Sequence, residues 1–134
     1  MGKDEPDRKI IAGIWDISER GCHMDEILKE ELSELVSGIL KIMDSQLVSI
    51  ILYGSVARGT ATEESDIDVA LMVHNKLESD TEDRLSDLIV DLNLKYDKVF
   101  SVIDIEYEHF CNWVKVIPFY RNVEQEGIML WKAA

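Results

Sequence analysis

Leu47 to Val73 reads LVSIILYGSVARGTATEESDIDVALMV, and its reading decides the fold. An apolar, β-branched run ends in Tyr53-Gly54-Ser55, a polar loop follows, and a second apolar run opens with Ser65-Asp66-Ile67-Asp68-Val69. The pattern predicts two strands, Leu47–Tyr53 and Ile67–Val73, joined by a short connector that starts with Gly-Ser and ends with two carboxylates two residues apart. Side chains alternate faces along a strand, so Asp66 and Asp68 project from one face and Ile67 and Val69 from the other. Two carboxylates side by side repel each other unless a cation sits between them, which makes the pair a candidate metal site on a rigid support.

Helical signals flank this centre. Leu28, Leu32, Leu35, Val36, Ile39 and Met43 recur at helical spacing and predict an amphipathic helix from Asp25 to about Met43, with Glu26, Glu30, Glu31 and Glu34 on its solvated face. Ser79 with Glu82 three residues on has the pattern of a capping box, ahead of a helix from about Asp80 to Lys95. Val99 to Ile105 (VFSVIDI) reads as a third strand, with Ser101 and Ile103 on one face and Val102 and Asp104 on the other. The tail from Glu108 to Glu126 is expected to be helical, interrupted at Pro118 and closed at Gly127. The resulting order, α-β-(short α)-β-α-β-α-α, belongs to the α+β (α/β) class.

Residues 1–24 read as an extension. Ile10, Ile11, Ile14, Trp15 and Ile17 fit a short helix, and Gly21-Cys22-His23-Met24 breaks the pattern, so the segment is appended or in part not native, with Met24 as the natural start. Residues 25–134 form the expected functional domain.

The 134 residues, 46% of them hydrophobic, suit one domain. A formal net charge of -13 argues against broad nucleic-acid binding, which needs a Lys/Arg-rich face to displace counterions, and leaves a basic protein partner open. Cys22 and Cys111 stand far apart with no CxxC spacing, which argues against structural zinc and a disulfide framework. No apolar run reaches the length of a membrane span, and a soluble, cytoplasmic protein is expected. His23, His74 and His109 share no ligand spacing and read as surface or locally bonded residues.

Carboxylate oxygens suit Mg²⁺, which binds one or two carboxylates together with substrate phosphates. Asp104 is the candidate for a third carboxylate, although Glu106 shares its face and Ser101 competes for the position a ligand needs. Gly54-Ser55 can cradle a phosphate: glycine admits close approach, serine offers a hydroxyl, and Arg58 adds a forked cation. Gly59 can end the short turn in a left-handed conformation.

Gly54-Ser55, Arg58-Gly59 and Ser65-Asp66-Ile67-Asp68 together resemble the signature of the DNA polymerase beta-like nucleotidyltransferase superfamily, and more narrowly its minimal nucleotidyltransferase (MNT) family. The similarity runs from about Asp25 to Trp131. It implies a small mixed β-sheet flanked by helices, with Gly54, Ser55, Arg58 and Ser65 holding a nucleoside triphosphate and Asp66, Asp68 and Asp104 as metal-binding catalytic carboxylates. The implied reaction moves a nucleoside monophosphate, AMP from ATP, onto a hydroxyl with Mg²⁺ as cofactor. The implied partner is a HEPN-domain toxin for which the chain is the antitoxin, and a homo-oligomer stays open. Alternatives are a nucleotide-binding antitoxin acting by steric complex formation and an aminoglycoside-type small-molecule nucleotidyltransferase. The latter resembling enzymes usually carry an added helical domain that 134 residues are too few to hold.

Overall fold

The computed structural model describes residues 26–133. Its elements are α1 (Glu26–Met43), a 3-10 turn (Asp44–Gln46), β1 (Leu47–Tyr53), α2 (Gly54–Arg58), β2 (Ile67–Val73), α3 (Ser79–Tyr96), β3 (Phe100–Glu106), α4 (Tyr107–Trp113), α5 (Pro118–Glu126) and β4 (Ile128–Lys132). Both strands around the central bend occupy the residues the sequence predicts. Helices and third strand differ from expectation by a residue or so at their ends.

One mixed sheet results, in the order β3-β2-β1-β4. β1 pairs antiparallel with both β2 and β4, while β2 pairs parallel with β3. A parallel pair needs a long crossover, and α3 provides it. Leu32, Leu35, Val36 and Ile39 of α1 and Leu85 and Leu92 of α3 pack on one face, against Leu52, Val69, Leu71, Phe100 and Leu130. On the opposite face a smaller cluster joins Ala70, Met72, Ile105 and Val123, with Ile51, Tyr53, Phe110 and Tyr120 against it.

Three expectations change. The Ser79/Glu82 capping box does not form: Glu78 is the N-cap, without a side-chain cap bond, so Ser79 lies inside the helix. Glu31 is not on a solvated face but only 2% exposed, where Lys98 Nζ donates to it at 2.8 Å. This ion pair ties α1 to the approach to β3. Ile128–Lys132 adds a fourth strand beyond the expected helical tail, with Ile128 and Leu130 buried and Met129 exposed between them. The expected helix around Ile10–Ile17 lies outside the described residues.

Gly127 links α5 to β4 where a side chain has no room. A Cβ there would stand 2.2 Å from the Val123 carbonyl oxygen and 2.6 Å from Ile51 Cγ2. Backbone cannot yield as a flexible side chain can, so Gly127→Ala is expected to cost about 1–3 kcal/mol of stability in urea unfolding, the usual penalty for overpacking.

Candidate active site

The site grows from the β1–α2–β2 unit. Tyr53 lies opposite Asp68 in the β1/β2 register, so the chain turns out of β1 directly beside that carboxylate. Gly54 makes the turn at φ +82°, and a Cβ on it would fall 2.3 Å from Asp68 Oδ2. Only glycine meets both conditions, positive φ and contact with the carboxylate. Residues 54–58 then coil into α2, whose first N–H groups have no intrahelical acceptor. Gly59 ends α2 in the left-handed region at φ +78°, as expected from the sequence.

Asp66, exposed, precedes β2, and Asp68, half-buried, is its second residue. Burial pushes the Asp68 carboxyl above its ordinary range, the Asp66 charge pushes it further, and Arg58 partly offsets both. The two aspartates therefore do interact, repulsively. Burial, and then the Asp68 charge, also push the Tyr53 hydroxyl up. Tyr53 packs edge-on against Phe119 at 5.5 Å between ring centroids, which brings the start of α5 to this end of the sheet.

Asp104 is not brought to the pair. In the parallel β2/β3 register Asp68 lies beside Ser101, whereas Asp104 lies beside Leu71, an odd three residues further on. An odd offset reverses the face, so Asp104 points toward α3 and lines a cavity with Leu71, Leu77, Asp83, Leu85 and Val102. Glu106 shares that parity. Ser101 stands where a third carboxylate would have to be. Among the described residues no group of three or more His, Cys, Asp and Glu side chains could hold a metal.

Two other expected nucleotide contacts are already engaged. Ser65 Oγ accepts a hydrogen bond from the Thr62 N–H at 2.9 Å and lies 3.3 Å from Thr62 Oγ1, which closes the loop before β2. Arg58 Nη1 donates to Glu126 Oε1 at 3.0 Å, joining the end of α2 to the end of α5. Sequence reasoning missed Glu126. Its signal was faint: a carboxylate in the last turn of a helix that has no basic residue there opposes the helix dipole. His109 is locally bonded, its Nδ1 2.8 Å from the Tyr120 hydroxyl.

A strand, a glycine bend and two carboxylates, one just before the next strand and one on it, form the candidate site. The family model described as "Polymerase beta, Nucleotidyltransferase" matches residues 37–133. A relative from Methanocaldococcus jannaschii, named "Putative protein adenylyltransferase", is 36% identical over 104 residues, covering 77% of this chain and 97% of that one. A second relative of the same name and organism is 36% identical over 86 residues, covering 62% and 58%. One chain of a crystal structure of a toxin-antitoxin with AMP-PNP superposes with a TM-score of 0.50 at 22% identity, over 74% of this chain and 72% of that one. A mutant of the toxin-antitoxin MntA-HpeT gives a TM-score of 0.50 at 20% identity, over 73% and 71%. The chain belongs to the polymerase beta nucleotidyltransferase family and is an enzyme of the nucleotidyltransferase type.

Two carboxylates fall within what Mg²⁺ takes from protein when substrate phosphates complete its shell, so Asp66 and Asp68 fit that ion without a third. Asp66→Asn and Asp68→Asn are each expected to abolish Mn²⁺ binding in calorimetry, and Asp104→Asn to leave it unchanged. The raised Asp68 carboxyl also sets a pH dependence. Its folded state holds the proton more tightly than the unfolded chain, so its contribution to stability is fully present below the unfolded value of about 3.9 and is lost as pH rises through the higher folded one. Without metal, Asp68→Asn is therefore expected to raise the unfolding midpoint at pH 7 and leave it unchanged near pH 3.

Proposed function

We propose that the chain transfers AMP from ATP onto a hydroxyl group of a partner protein, with Mg²⁺ held by Asp66 and Asp68. The observation that carries this reading is the Gly54 bend pressed against Asp68, which leaves the backbone, and no side chain, beside the carboxylate. Backbone N–H groups of the bend and the Ser55 hydroxyl would hold the triphosphate, and Arg58 would add charge to it. The hydroxyl oxygen of the acceptor attacks the α-phosphorus, the bond from that phosphorus to the bridging oxygen breaks, and pyrophosphate leaves. The acceptor proton passes to solvent or a nearby base. A bound Mg²⁺ would neutralise charge that builds on the phosphate oxygens.

The name of the 36% identical relative, protein adenylyltransferase, supports AMP as the group moved and a protein as acceptor. A HEPN-domain toxin is the partner we assign, in keeping with the sequence resemblance and with the toxin-antitoxin neighbours of the same fold. The high acidic charge suits a basic partner.

Ser101 beside Asp68 favours a second reading, a nucleotide-binding antitoxin that transfers slowly and acts by covering its toxin. Incubation of chain and partner with ATP and Mg²⁺, followed by intact mass spectrometry, separates the two. Transfer adds an adenylyl group, the mass of AMP less one water, to the partner, and Asp66→Asn with Asp68→Asn abolishes the adduct while the complex still forms. A tight complex that never gains the mass contradicts transfer.

A further inference from the structure

β3 stands at one edge of the sheet, and its outer side meets no other strand among the described residues. Which backbone groups lie on that side follows from the register. Ile67 N–H donates to the Val99 carbonyl at 2.9 Å, so residues 99, 101, 103 and 105 turn their N–H and C=O groups toward β2. Those of residues 100, 102, 104 and 106 face outward. Asn93 Oδ1 accepts from the Phe100 N–H at 2.9 Å, whereas Val102, Asp104 and Glu106 have no backbone partner on that side among the described residues. Natural edges are usually blunted by a bulge, a proline, a lysine or shortness. β3 has none of these: its seven residues pair with β2 in an unbroken register, and FSVIDIE contains neither proline nor lysine. The opposite edge, β4, has five residues and ends in Lys132.

A cavity of about 350 Å³ lies between β3 and α3. Leu71, Leu77, Leu85 and Val102 give it an apolar floor, and Glu82, Asp83 and Asp104 give it an acidic rim. Neither these three carboxylates nor Glu106 is in an ion pair among the described residues. We infer that the free edge of β3 and this groove form a docking site for an extended, basic segment of a partner protein, which adds to the sheet as a further strand. Alternation fixes what the segment must carry. Val102 and Asp104 share the α3 side of the sheet, because Val102 packs on the large apolar cluster and Asp104 lines the groove. Residues of the added strand opposite them point the same way. An apolar side chain opposite Val102 covers the floor, and a lysine or arginine two residues along, opposite Asp104, meets the acidic rim. The same charges select against a second copy of this chain, which would bring another acidic edge and a net charge of -13. Asp68 lies on the other face of the sheet from Asp104, so a docked segment leaves the candidate active site open, and the inference stands apart from AMP transfer.

The test titrates the full chain with a short synthetic peptide that alternates threonine with valine and lysine, and reads amide hydrogen exchange by NMR. At saturation the peptide is expected to slow exchange at Val102, Asp104 and Glu106 by about tenfold. Methyl groups on every second peptide nitrogen are expected to abolish binding in one parity and spare it in the other, since only alternate N–H groups of an added strand face β3. Glutamate in place of the peptide lysines is expected to abolish binding, and Asp104→Asn in the protein to weaken it by roughly threefold to fivefold, with circular dichroism to confirm folding. Equal effects of the two methylation patterns, equal binding of the lysine and glutamate peptides, or unchanged exchange at the three amides would overturn the inference. So would protection of these amides in the chain alone that rises with its own concentration, the mark of a second copy on the edge.

Discussion

The contact between Gly54 and Asp68 governs the rest of the molecule. β1 and β2 are antiparallel neighbours with Tyr53 opposite Asp68, so the chain leaving β1 must bend across that carboxylate. The space left holds no Cβ, and the bend needs a positive φ. Both requirements come from strand pairing, and the large apolar cluster fixes that pairing from below: Leu52, Val69 and Leu71 carry the sheet on α1 and α3. The core thus holds the Gly54 backbone close against one carboxylate.

Electrostatically, the two carboxylates at the head of β2 are set against each other. Asp68 carries a raised carboxyl, partly buried and facing Asp66. Arg58, the nearby positive charge, is tied to Glu126. Such an arrangement lowers the stability of the empty fold, a common trait of sites that must accept charged ligands. Elsewhere the acidic surface is better balanced. Glu34 takes hydrogen bonds from Lys95 and Tyr96, and Glu31 from Lys98, so the α1–α3 contact is closed by paired charges while the site end stays open.

Features written locally were legible in the sequence. β1, β2 and the glycine bend rest on apolar runs and a positive φ, which few residues tolerate, and α1 and α3 rest on helical periodicity. What depended on register was not. Whether Ser101 or Asp104 faces the aspartates turns on a parallel pairing set by the α3 crossover, and alternation alone left both open. Five residues of β4 were too short to separate from the helical tail, since their strandedness comes from pairing with β1. The Glu31–Lys98 and Arg58–Glu126 pairs join residues 67 and 68 apart, beyond any local pattern.

The most direct test of the central claim is a crystal structure grown with Mn²⁺ and a non-hydrolysable ATP analogue, with the ion located by its anomalous scattering. The account predicts Mn²⁺ held by carboxylate oxygens of both Asp66 and Asp68, with phosphates of the analogue against the Gly54-Ser55 bend and Asp104 uninvolved. Manganese bound on the α3 side at Asp104, or an analogue seated away from the bend with the two aspartates bare, would contradict it.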